Sequence, residues 1–186
     1  MKVREYAKAI HREIEGALSA LDPGSCDELA ESILRSKRIF LAGMGRSGLI
    51  IRSFAMRLMH MGLVAHVIGE TTTPAIEKGD LLLIGSGSGE TESLLAMAGK
   101  AKTLGIDVVL ITVHPASSIA EHAGLVVRVP ATTPKSSHPS AVVSIQPRGS
   151  LFEQTMFLVC ESVVLRLMEM RGMDAEGMFL RHANLE

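Results

Sequence analysis

The chain has 186 residues, a formal net charge of −1 at pH 7, 47% hydrophobic and 21% charged residues, and a mean hydropathy of +0.28. That length suits one domain with a true core. The near-zero charge, the 3% aromatics and the absence of Trp argue against a nucleic-acid partner. No run of 18 apolar residues predicts a membrane span, and Met1-Lys2-Val3-Arg4-Glu5-Tyr6 lacks an apolar signal region. The isolated Cys26 and Cys160 read as reduced residues of a cytoplasmic protein. Hydropathy this high predicts subunit interfaces, hence a homo-oligomer.

Val3, Ala7, Ile10, Ile14, Ala17 and Leu18 recur at helical spacing across residues 2–20. Asp22-Pro23-Gly24 reads as the break after that helix. Ser25 then caps a second helix over 26–36, with Leu29, Ile33 and Leu34 on its apolar face. Five short apolar runs follow, at 38–42, 64–68, 80–84, 107–113 and 125–129. Helical stretches lie near 47–61, 91–104 and 117–122, while the second and third runs are joined by the segment 69–79. Apolar strands alternating with helices predict a parallel sheet covered on both faces. Right-handed crossovers make it a doubly wound, five-stranded, flavodoxin-like three-layer α/β sandwich. Residues 130–149, rich in Pro, Ser and Thr, read as a long loop. The longest helix runs over 150–171 and ends at Gly172, followed by a short helix over 174–180 and the tail Arg181-His182-Ala183-Asn184-Leu185-Glu186. The expected organisation is a single domain: N-terminal helices 1–36, sheet core 38–130, C-terminal helices and tail 150–186.

The third run opens into Gly85-Ser86-Gly87-Ser88-Gly89-Glu90-Thr91, a glycine-rich turn between a strand and a helix. Its glycines let the backbone approach a ligand, and the first-turn N–H groups of the helix have no partner within it. No Lys follows the last glycine, so it is not a Walker loop, and the G-x-G-x-x-G spacing fails after Gly87. The hydroxyls of Ser86, Ser88 and Thr91 add neutral donors, which suits a small phosphate monoester. The bland alternative is a small polar turn.

Gly43-Met44-Gly45-Arg46-Ser47-Gly48 is a second such turn, with Ser47 at a helix start and Arg46 able to face a phosphate or sugar hydroxyl. Ligands of open parallel sheets bind beyond the carboxyl ends of the strands, which sets the two turns side by side at one rim. Arg46, Ser53, Arg57 and His60 share one stripe of their helix, which a solvated face would also explain. Glu153 projects from the apolar side of the 150–171 helix, beside Phe157, Cys160 and Val164, where a carboxylate is costly without a use or a partner. It is the candidate base, although Ser150-Leu151-Phe152-Glu153 also reads as a capping box. His60, His114, His138 and His182 show no metal-binding spacing.

Gly43–Gly48 and Gly85–Thr91 resemble the phosphate-side turns of SIS-type sugar isomerase domains. Four further segments narrow the resemblance to the 6-phospho-3-hexuloisomerase family. They are Phe54-Ala55-Met56-Arg57-Leu58-Met59-His60, Gly69-Glu70-Thr71-Thr72-Thr73-Pro74, Gly149-Ser150-Leu151-Phe152-Glu153-Gln154 and the tail from Arg181. Arg148 stands where the resemblance would put Met. The resemblance implies interconversion of D-arabino-3-hexulose 6-phosphate and fructose 6-phosphate in the ribulose monophosphate route of formaldehyde fixation. It also implies a homotetramer with sites shared between subunits, and no cofactor or metal. It carries Ser47, Ser86, Ser88 and Thr91 over as phosphate ligands and Glu153 as the proton-transfer base. Arg46, His60 and His182 are the candidates for the donor to the developing oxyanion. Two rival readings stand beside it: an isomerase of another sugar phosphate on the same scaffold, and a non-catalytic sugar-phosphate-binding module.

Overall fold

The computed structural model describes residues 2–132 and 144–185. Its centre is a parallel sheet of β1 (Ile39–Gly43), β2 (Ala65–Val67), β3 (Leu81–Gly85), β4 (Asp107–Thr112) and β5 (Leu125–Arg128), in the order β2-β1-β3-β4-β5. The expected doubly wound sandwich is the observed fold. The apolar runs are strands buried on both faces, and their side chains alternate between two cores as the period of two requires. Leu41, Leu83, Ile111 and Val127 face one core. Phe40, Leu82, Ile84 and Leu110 face the other. Each such aliphatic side chain contributes roughly 1.5–3 kcal/mol when fully buried.

The first core is closed by α1 (Val3–Ser19), α2 (Pro23–Arg35), α3 (Gly45–His60) and α5 (Ser150–Arg171). The second is closed by α4 (Glu92–Thr103) and a short 3-10 turn, Ala120–His122. A last helix, α6 (Ala175–Phe179), follows α5 and buries Met178 against the first core.

Two local expectations change. Asp22-Pro23-Gly24 begins α2 rather than separating it from α1, and Ser25, the expected cap, lies inside its first turn. The Asp22 carboxylate accepts from the Ser25 N–H at 2.9 Å, and Pro23 is the first helical residue. Proline loses nothing there, because that N–H has no helical partner in any case. Likewise Ser150 does not cap α5. Gly149, with φ 93°, is its N-cap and Ser150 its first helical residue. The expected loop 130–149 is described only at its ends, and His138 lies outside the described residues.

Arg38 and Asp80 lock the amino ends of β1 and β3, with Arg38 Nη2 2.6 Å and Nε 3.0 Å from the Asp80 carboxylate. Burial pushes the Asp80 carboxyl up, but the Arg38 hydrogen bonds and the Glu77 N–H outweigh it and hold the group below its ordinary value. At the opposite end the chain departs from β1 to one side and from β3 to the other. This is the switch point where open parallel sheets leave a crevice.

Candidate active site

The register of β1 and β3 pairs Gly43 with Gly85, so both glycine turns leave the sheet at one level. They come together because their residues tolerate close approach. A Cβ on Gly48 would collide with the Gly43 carbonyl at 2.6 Å, and one on Gly85 with Ile51 at 2.7 Å. The β1 turn therefore lies tight against the start of α3, and α3 tight against β3.

The β3 turn is anchored from behind. The Gly87 carbonyl accepts from the Val113 N–H at 3.2 Å, and the Gly89 carbonyl from the Ile119 N–H at 3.0 Å. Gly89 has φ 65°, and any side chain there would collide with Ser117. Glu90 turns away from the crevice and grips Ser118, accepting from its N–H at 2.8 Å and its hydroxyl at 2.6 Å. Those bonds hold the Glu90 carboxyl below its usual range. The Ser86 hydroxyl, buried, accepts from the Gly89 N–H at 3.2 Å. Thr91 is the N-cap of α4 and makes no side-chain cap bond.

The result is a cavity of about 320 Å³ between the two turns and the first turn of α5. Arg46, Ser47, Ser86, Ser88, Thr91 and Glu153 all line it, with Gly149, Met44, Leu94 and Phe152 completing the wall. Glu153 does not close a capping box; α5 has no side-chain cap bond, and the carboxylate reaches Arg46 Nη2 at 2.7 Å. Its side chain is 16% exposed and that of Arg46 56%. Burial pushes the Glu153 carboxyl above its ordinary value, and Arg46 opposes but does not cancel this. A carboxylate poised upward in a crevice has the character of a general base.

His60 and His182 lie elsewhere, in a second cavity of about 290 Å³ that shares no lining residue with the first. Their rings stack at 4.1 Å, with Phe179 against His182. His60 is 3% exposed, so its side of the stripe is not solvated. Burial foremost, then His182 and Arg57, push its pKa down. Arg57 pairs with Glu161 at 3.3 Å.

Two acidic residues that tie distant segments together were not singled out by sequence. Glu90 is one. Glu13, on α1, is the other: it accepts from Ser144 Oγ at 2.7 Å, the Ile145 N–H at 2.8 Å and Gln146 Nε2 at 2.9 Å, tying α1 to the approach of α5. Glu13 sits in no motif, and Glu90 sits inside the β3 turn without a role of its own there; both act on segments distant in sequence, which pattern reading does not reach.

Residues 32–158 match the SIS domain family. The chain is 50% identical over 186 residues to 3-hexulose-6-phosphate isomerase of Bacillus subtilis (strain 168), covering all of both chains. It is 45% identical over 177 residues to 3-hexulose-6-phosphate isomerase of Mycobacterium gastri, covering 95% of this chain and 88% of the other. Among solved structures, a Methanococcus jannaschii protein superposes with a TM-score of 0.83 at 34% identity, covering 98% of this chain and 99% of that one. A molecular function of 3-hexulose-6-phosphate isomerase was inferred for it.

Proposed function

The chain belongs to the SIS domain family, grouping there with the 3-hexulose-6-phosphate isomerases, and from that premise we propose that it interconverts D-arabino-3-hexulose 6-phosphate and fructose 6-phosphate. The observation that carries the reading is the single cavity in which a half-buried carboxylate, Glu153, faces two glycine turns rich in hydroxyls.

The phosphate sits on the β3 turn and the start of α4, taken by the hydroxyls of Ser86, Ser88 and Thr91 and by Ser47 across the crevice. The positive end of α4 favours it there. That grip lies away from the reacting carbons, so its binding energy positions them. Glu153 removes the proton from carbon 2 of the 3-ketose. The C–H electron pair forms the carbon 2–carbon 3 double bond, and the carbonyl electrons move to oxygen 3. A proton moves from oxygen 2 to oxygen 3, which carries the negative charge of the 2,3-enediolate over to oxygen 2, whose electron pair then closes to the new carbonyl. Protonated Glu153 then returns its proton to carbon 3, leaving the ketone at carbon 2. Atoms and electrons balance with no redox partner.

We read residues 1–186 as one domain, working as a homotetramer in the ribulose monophosphate route. Outward apolar side chains on α3 and α5 support the assembly: Leu49, Met56 and Met59 on one helix and Phe157, Leu158 and Leu165 on the other. The stacked His60–His182 pair lies on the same side, between α3, α5 and the tail, and there serves a site shared with a neighbouring subunit. A cytoplasmic working place fits a phosphate dianion that does not cross a bilayer unaided.

The test is proton exchange. The protein is incubated with fructose 6-phosphate in deuterated water and followed by NMR. The 3-ketose should appear, with deuterium entering at carbon 3 of the returning fructose 6-phosphate. Binding with no 3-ketose formed and no exchange would make the chain a sugar-phosphate sensor and overturn the reading.

A further inference from the structure

Resting on Glu153 as the base, we propose that Arg46 is a travelling partner: it holds the Glu153 carboxylate in the free enzyme and transfers to the substrate oxygen that becomes the enediolate. Three observations and one charge argument lead there. Glu153 Oε2 lies 2.7 Å from Arg46 Nη2, so one oxygen of the carboxylate that must receive a carbon-bound proton is engaged by a guanidinium. A lone pair engaged in a charge-assisted hydrogen bond is a poor proton acceptor until that bond is released.

The two partners differ in freedom. The carboxylate is enclosed, while the Arg46 side chain is more than half exposed and rises from the turn that opens α3. Exposed side chains change rotamer without moving the backbone. The arm moves and the base stays.

Both side chains line the same cavity, and Arg46 is the one cationic side chain among its described lining residues. The serine and threonine hydroxyls opposite are neutral. A sugar phosphate lying between them and Glu153 therefore presents its oxygens to a single positive group.

Substrate binding draws that group off Glu153, and charge decides what the move gains. As Glu153 takes the proton it becomes neutral, and the negative charge appears on the substrate oxygen. An arginine already on that oxygen meets the charge as it appears, so the interaction released from Glu153 on binding is regained in the transition state. This makes Arg46 a transition-state donor of the kind that fixed dipoles supply in other sites.

The surroundings leave few competing titrations. From α3 the facing ionisable group is Arg46. From the β3 turn the facing groups are the hydroxyls of Ser86, Ser88 and Thr91, and Glu90 is turned to Ser118. From α1, Ile14 approaches, and Glu13 is engaged by Ser144, Ile145 and Gln146. On α5 itself, Gln154 is the neighbour.

The experiment compares pH–rate profiles of wild type and Arg46→Gln in the fructose 6-phosphate direction. The acid limb of kcat/KM reports the base in the free enzyme, and that of kcat reports it in the complex. Removing Arg46 from the free enzyme leaves burial of Glu153 less opposed, so the kcat/KM limb moves to higher pH. In the complex Arg46 has already left, so the kcat limbs of the two proteins coincide. The substrate phosphate titrates identically in both and cancels. The kcat plateau should fall on the order of 10²-fold, the scale of losing one oxyanion donor. Arg46→Lys should restore part of it and supplies the profile if Arg46→Gln turns over too slowly.

A kcat limb displaced as far as the kcat/KM limb would mean that Arg46 stays on Glu153 through turnover, and would overturn the proposal. So would an unmoved kcat/KM limb or an undiminished plateau. If Glu153 is not the base, Glu153→Gln retains its turnover in the same assay, which separates failure of the underlying reading from failure of this one.

Discussion

Glu153→Gln is the sharpest perturbation of the site. The amide preserves the shape of the side chain and its place on the first turn of α5, but it cannot accept the carbon-bound proton. Folding should survive. The lost partner is one ion pair to an arginine whose side chain is 56% exposed, and such pairs contribute about 0–1 kcal/mol. For a chain of this size that is a Tm change of at most about 2–4 °C. Removing a half-buried charge offsets part of even that. Turnover is another matter. A positioned base contributes on the order of 10²–10⁴ in rate, equivalent to about 3–5 kcal/mol of barrier. The phosphate-side hydroxyls lie on other elements, so KM should stay within a few fold. The assay is steady-state isomerisation coupled to fructose 6-phosphate formation, with deuterium exchange at carbon 3 as a second readout. A folded variant with kcat within tenfold of wild type would refute the assignment and return Glu153 to the role of an Arg46 counter-ion.

Three other outcomes are expected. Gly89→Ala forces a side chain into a left-handed backbone position and against Ser117, which costs roughly 1–2 kcal/mol for the backbone alone; calorimetry should show the lower Tm and isothermal titration weaker sugar-phosphate binding. Asp80 is held below its ordinary value, so its contribution is full above the unfolded pKa of about 3.9 and fades as pH falls through the lower folded value. Asp80→Asn should cost roughly 1.5–3 kcal/mol at pH 7, and its denaturation midpoint should depend less on pH below about 4 than that of wild type. Leu165→Glu places a charge on an apolar α5 position that is 66% exposed in the chain, and sedimentation velocity should show smaller species with no loss of secondary structure.

The sheet was legible because its strands are short, apolar and spaced by helices, and because burial on both faces leaves a sequence signature at every strand. The two glycine turns followed, since topology dictates which end of a parallel sheet carries loops of this kind. Asp22-Pro23-Gly24 was misread because residues of this kind end helices in some chains and start them in others; sequence does not say on which side the Asp22 carboxylate closes its bond. Glu153 stood undecided between cap and base because its partner, Arg46, comes from a different element, and helical projection carries no distance to a neighbouring helix. The stacking of His60 on His182 was out of reach for the same reason. Glu13 lies in no motif, and the partner that gives Glu90 its role, Ser118, lies 28 residues along the chain.

The pairing of Gly43 with Gly85 makes the sheet a ruler for the ligand. The width of the crevice between the two turns is set by the fixed spacing of hydrogen-bonded strands, near 4.8 Å, and its floor by the level at which both strands stop. Side-chain replacement leaves that dimension unchanged. A one-residue slip of β3 against β1 would change it at once and would also turn Leu81, Leu83 and their neighbours to the wrong core. The same apolar alternation that stabilises the centre of the molecule therefore guards the geometry of its rim.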